Sequence, residues 1–192
     1  MKRLELYYPV KPLYVTQQFG GNKPMYEQFG IDGHNGMDFM AIHGQKVYAA
    51  HDGTVVYSGM DGSEGVGVVL RTDEEFTYEN GYAYFKTVYW HLINDVQVRV
   101  GQKVKAGDLL GYADNTGYST GDHLHFALKP QAKGENDWTW ENKEQSNGYK
   151  GAIDPSPYFN NFFAEDSQKV IAIFKSIIQL LMAKLGRTSP TS

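Results

Sequence analysis

Gly121-Asp122-His123-Leu124-His125-Phe126-Ala127-Leu128 reads as one strand of a β-sheet entered from a turn. Side chains alternate along a strand, so His123 and His125 project to one face while Leu124 and Phe126 face a core. Similar short runs precede it: Lys46–Ala50, Gly53–Ser58, Gly67–Thr72, Tyr82–His91, Gln97–Val100 and Asp108–Ala113. They are rich in Val, Tyr and Phe and are separated by DG, SG, NG or TG pairs, the turn formers of sheets. Glycine occupies 21 of 192 positions, above the usual ~7% and in keeping with frequent turns. From residue 1 to about 163 no segment sustains a 3.6-residue apolar period over three turns. The expected fold is all-β and mostly antiparallel.

The length suits one domain with a real core plus an appendage. There is no cysteine, which excludes a disulfide framework, a thiolate zinc site and a cysteine nucleophile. A net charge of −4 argues against a general nucleic-acid binder, so no nucleic-acid partner is expected. The start, MKRLELYYPVKP, holds two basic residues followed by Glu5 and Pro9. It contains no apolar core of ~7–15 residues, so no signal peptide is read in it. No run of ~18 apolar residues occurs, and no spanning helix is expected.

Two stretches stand apart. Residues 130–157 are polar, with Trp138, Trp140 and three prolines, and read as a long surface loop returning to the sheet, with lining of a substrate groove as the secondary reading. The tail, 164–192, carries a charge of +2 against −6 for residues 1–163. Ile171, Phe174, Ile178, Leu181 and Leu185 step by 3 and 4 residues, predicting an amphipathic helix over 165–185. Its apolar face is expected to pack on the β domain or on a second copy of the chain, with membrane-surface contact as the alternative. The domain division is therefore 1–163 and 164–192.

Six histidines are few enough to take singly. Gly33-His34-Asn35-Gly36-Met37-Asp38 sets an imidazole and a carboxylate four residues apart, and its glycines favour a strand–turn over a helix. His123 and His125 share a strand face. Tyr89-Trp90-His91-Leu92 ends an aromatic strand and puts His91 at a strand mouth. Together these supply three nitrogen or oxygen ligands, as a catalytic zinc needs while leaving a fourth position for water. His43 and His51 have no partner spacing and are read as ordinary histidines. Tyr118 and Thr120, beside the strand of His123 and His125, are read as turn formers, with shaping of the cleft as the alternative.

GHNGMD, YWHL and Gly117–Phe126 resemble the three signature segments of the lysostaphin-type (LytM-like) zinc metallopeptidases. The likeness runs from Val15-Thr16-Gln17-Gln18-Phe19-Gly20 to Asp154-Pro155, about three quarters of the chain. It implies two antiparallel sheets of the duplicated-hybrid-motif type, with zinc on the floor of a groove. It further implies one catalytic Zn²⁺ held by His34, Asp38 and His125, with His91 and His123 as catalytic residues. The implied substrate is peptidoglycan, cut by zinc-activated water within the stem or cross-bridge peptides at the bacterial cell wall.

Three other readings were open. Val98–Gly111 resembles the hammerhead hairpin of biotinyl and lipoyl carrier domains, but Lys103 and Lys105 lack the sequence context of a modified lysine. A non-catalytic peptidoglycan-binding module is disfavoured because every expected ligand position is filled. A zinc peptidase acting on a protein substrate shares all the chemistry, and only family analogy opposes it.

Overall fold

The computed structural model describes residues 2–133 and 140–160. The tail helix expected over 165–185, the 164–192 segment and Trp138 lie outside the described residues. The described chain is built from β1 (Val15–Gln17), a one-turn helix α1 (Lys23–Tyr26), β2 (Met37–Met40), β3 (Lys46–Tyr48), β4 (Gly53–Asp61) and β5 (Gly65–Arg71). There follow β6 (Phe76–Tyr78), β7 (Gly81–Trp90), β8 (Lys103–Val104), β9 (Leu109–Tyr112), β10 (His123–Lys133) and β11 (Trp140–Asn142).

Antiparallel pairing joins β1-β2-β10-β7-β5-β4-β8 in that order, with β11 added to β10 and β6 to β7. β3 and β9 form a separate two-stranded sheet. The all-β antiparallel expectation therefore holds for the described residues. Among them, no helix is long and apolar enough to cross a membrane.

The alternation read in β10 is what anchors the sheet. Leu124, Phe126 and Leu128 are fully buried on one face, while His123 and His125 look out from the other. Leu124 stands opposite Phe39, and Phe126 stands between Met37 and Tyr89 on the flanking strands. Phe126 meets Tyr89 edge-on at 5.3 Å, and Phe39 meets Phe159 at 5.9 Å. Each such fully buried side chain contributes roughly 1.5–3 kcal/mol. Val47, Ala49 and Leu110 bring the small sheet into the same core.

Two strand expectations need correction. Gln97–Val100 is not a strand: Gln97 N–H bonds Leu110 and Gly101 N–H bonds Val55, so its backbone is satisfied singly around a turn. The loop expected from residue 130 begins as strand, because β10 runs on to Lys133 and β11 pairs with it. Four shorter strands, β1, β2, β6 and β8, were not foreseen as strands. Each has only two to four residues, too few for a period to show.

His51 is a structural residue. It is buried, and its Nδ1–H donates to Asp52 O at 2.8 Å, leaving Nε2 to accept from the Thr87 hydroxyl at 2.8 Å. Thr87 bonds the Tyr89 hydroxyl, which accepts from Ala50 N–H. Burial pushes the His51 pKa below its ordinary value, opposed by the Asp52 carbonyl. Stabilisation from neutral His51 is complete above the unfolded pKa of about 6.5 and declines as pH falls toward the depressed folded value. The thermal midpoint is thus expected to drop between pH 7 and pH 5. A His51→Gln variant, keeping donor and acceptor without a titrating group, should show a shallower drop; an equal slope would refute the assignment.

Candidate metal centre

Three adjacent elements bring the site together. In the β2–β10 ladder Asp38 lies directly opposite His125, and opposed residues of an antiparallel pair project to one face. His34 sits on the turn leading into β2, as its flanking glycines suggested. His91 follows the last residue of β7, the neighbour of β10 on its other side. Its backbone is left-handed at φ 66°, uncommon for a side chain of this kind and typical of residues held in place for function.

His34 Nε2 lies 2.9 Å from His125 Nδ1 and 3.1 Å from Asp38 Oδ1. His125 Nδ1 lies 3.1 Å from the same Oδ1. These atoms form a near-equilateral triangle. Tetrahedral coordination at ~2.0–2.1 Å separates ligand atoms by roughly 3.3 Å, so a zinc ion fits with a shift of a few tenths of an ångström. The protonation pattern agrees. His34 Nδ1–H donates to Gln18 O at 3.2 Å, which leaves Nε2 with a lone pair aimed into the triangle. Burial disfavours ionisation of Asp38, but its contacts with the His125 and His34 rings outweigh it and hold the carboxyl below its usual range. Two imidazoles and one carboxylate make up the donor set of a mono-anionic zinc site.

His91 and His123 flank this triangle, with ring centroids 4.6 Å apart. His123 Nδ1–H donates to Gly121 O at 2.8 Å, and His91 Nδ1–H donates to Thr116 O at 2.6 Å. Each ring is thus held through Nδ1, which leaves Nε2 for the site. The His123 nitrogen stands 3.7 Å from Asp38 Oδ1. Burial pushes the His91 pKa down to about 4, and its neighbours His123 and His125 act in the same direction.

Gly36 and Gly67 make room for these rings. A Cβ on Gly36 would lie 2.7 Å from His125 Cε1 and 2.5 Å from Phe126 O. The Trp90 ring occupies the space where a Gly67 side chain would stand. Trp90, opposite His125 in the ladder, forms the sheet floor beside the metal site.

A cavity of about 380 Å³ opens over the triangle, walled by Tyr26, Phe29 and Tyr118. Phe29 and Tyr118 meet edge-on at 5.3 Å across it. Tyr118 and Thr120 line the cavity, as in the cleft-shaping alternative, and Ser119 lies between them in the same lining. Tyr26 stacks on His34 at 5.3 Å and accepts from Gln17 Nε2 at 2.9 Å. Tyr26, Gln18 and Thr116 were missed in the sequence. Gln18 and Thr116 act through main-chain carbonyls, which leave no trace in residue type.

His43 stays outside the site, half paired with Asp114 at 2.9 Å on the surface. Lys103 and Lys105, the lysines of the carrier-like hairpin, are in ion pairs with Asp73 and Asp52 at 2.7 and 2.8 Å.

The family model described as Peptidase family M23 matches residues 32–137, which include His34, Asp38, His91, His123 and His125. The chain belongs to Peptidase family M23. Among M23 relatives, the peptidoglycan DD-endopeptidase ShyA of Vibrio cholerae is 39% identical over 95 residues, 50% of this chain and 20% of that protein. The glycyl-glycine endopeptidase ALE-1 of Staphylococcus capitis is 33% identical over 99 residues, 50% of this chain and 25% of that protein. The chain thus spans a quarter or less of these curated relatives. A solved zinc-containing peptidase from Vibrio cholerae superposes with a TM-score of 0.55 at 31% identity, covering 67% of this chain and 37% of that one. The M23 fold and the His34/Asp38/His125 zinc site agree with the resemblance seen in the sequence.

Proposed function

We propose that the chain is a zinc-dependent endopeptidase that hydrolyses a peptide bond in the stem or cross-bridge peptides of bacterial peptidoglycan. The observation that carries this reading is the convergence of the His34, Asp38 and His125 donor atoms beside two further imidazoles with free Nε2 atoms. Bound zinc supplies Lewis-acid polarisation of the scissile carbonyl and activation of water near neutral pH.

The chain's own residues do the rest. Asp38 offsets part of the metal's charge, and the Gln18 carbonyl fixes the tautomer that lets His34 bind through Nε2. His91 and His123 are the catalytic residues. The depressed pKa keeps His91 Nε2 unprotonated across neutral pH, so it can accept a proton from attacking water. With ring centroids 4.6 Å apart, the two imidazoles hold that proton within reach of both the developing oxyanion and the leaving amine. Tyr26 and Trp90 shape the floor and wall on which the peptide lies. The names of the M23 relatives, one a DD-endopeptidase and one a glycyl-glycine endopeptidase, support peptidoglycan as the substrate and the cell wall as the place of action.

The test is digestion of walls of several cross-link types by the zinc-loaded chain, read by mass spectrometry of the released muropeptides. New peptide termini, absent when a chelator is present, are expected. Binding to walls without any cleavage would replace the enzyme by a recognition module.

A further inference from the structure

The groove continues past the metal. A second cavity of about 390 Å³ shares Asn35, Glu64, His125 and Lys150 with the one over the triangle, so the two form one channel along the sheet face. Strand register orders its floor. Next to His125 and Trp90 comes an apolar row in which Ala127 faces Val88 and Val88 faces Val69. Beyond it Lys129 stands directly opposite Lys86, and Lys86 directly opposite Arg71.

This arrangement works against the fold. Like charges placed opposite each other in a ladder are destabilising. Here both lysines are also half-buried and line one cavity together with Val69, Val88 and Ala127. The Lys129 ammonium donates to the Lys150 carbonyl at 2.9 Å, using one of its three protons. No salt bridge within 4.0 Å is formed by Lys86 or Lys129 among the described residues, although Asp61 and Glu64 line the same cavity. Burial pushes the Lys129 pKa down to about 8, Lys86 and Lys150 push the same way, and Glu64 opposes them. A repulsive, desolvated pair on the floor of a binding channel is what an incoming anion would relieve.

We propose that Lys86 and Lys129 form a carboxylate subsite that holds an acidic residue of the peptide substrate away from the scissile bond. Lys150 adds a third ammonium on the adjoining wall. Four residues of strand separate Lys129 from His125, roughly 13 Å at ~3.3 Å per residue. An extended peptide covers that distance in about four residues, and fewer once the lysine and carboxylate side chains reach toward each other. The apolar row between metal and lysines lowers the local dielectric, which strengthens attraction for a carboxylate over its neutral amide.

The subsite rests on the peptidase reading, and the experiment separates the two. Stem peptides with free carboxylates, and the same peptides with those groups amidated, are given to the zinc-loaded wild type and to the Lys86→Gln/Lys129→Gln variant. The wild type is expected to prefer the acid form about tenfold through KM, with kcat nearly unchanged. The variant should lose that preference by weakening for the acid form alone, and Lys129→Arg should retain it. The double variant should also melt at or above the wild-type temperature, because a repulsive pair is gone. Equal preference in wild type and variant, or equal loss on both peptides, would overturn the subsite. If the wild type cleaves neither peptide, the peptidase reading fails. Calorimetric binding of the two peptides then decides the subsite: an acid preference abolished in the variant supports it, and its absence refutes it.

Discussion

Asp38→Ala is expected to release the zinc and abolish hydrolysis. Losing a residue that only orients a ligand typically costs 10–100-fold in metal affinity, so loss of an anionic ligand should cost at least about 100-fold. Geometry makes the effect specific. Oδ1 of Asp38 is the corner shared by both imidazole contacts, at 3.1 Å each. Without it, two neutral lone pairs face each other with no negative charge to hold a cation. The ladder itself should survive, because Leu124, Phe39 and Phe126 on the opposite face carry the β2–β10 packing. Metal analysis after gel filtration, beside a thermal melt of the metal-free forms, checks both halves. A folded variant that keeps one zinc per chain would refute the ligand set.

His91→Ala should behave in the opposite sense, keeping the zinc and losing the rate. General acid–base groups contribute about 10²–10⁴-fold, and a loss of that size in kcat is expected. His91 is not a corner of the triangle; it is held by Thr116 O, with its ring centroid 6.2 Å from that of His125. Because residue 91 sits at φ 66°, a His91→Asn variant is the better folded control, since Asn tolerates this backbone region. If zinc leaves with the His91 side chain, the division into ligands and catalytic residues is wrong.

The site was more legible in the sequence than the fold around it. His123 and His125 announced themselves because an 11-residue strand shows its alternation, and alternation is a property of the residues. The glycines around His34 favoured a strand–turn over a helix, and His34 does sit on a turn. By contrast β2, which carries Asp38, has only four residues, three of them buried, Asp38 itself included. Its place beside β10 depends on pairing partners far along the chain. The carbonyls of Gln18, Thr116 and Gly121 that set three imidazole tautomers could be supplied by almost any residue. Nothing in the sequence singles out Lys86 and Lys129, which only strand register sets face to face.

The β2–β10 ladder also governs when the metal can be captured. Its partners Asp38 and His125 are 87 residues apart, and His34 and His125 are 91 apart. During synthesis, at about 5–20 residues per second, His34 and Asp38 wait several seconds for the strand that completes the triangle. A nascent chain offers zinc two ligands at most, and closing so long a loop carries an entropic cost that metal binding alone must offset. Zinc therefore enters a sheet that has already paired, and its affinity adds to the native state by mass action. The three-ligand site is therefore complete only once β10 has been made and paired with β2.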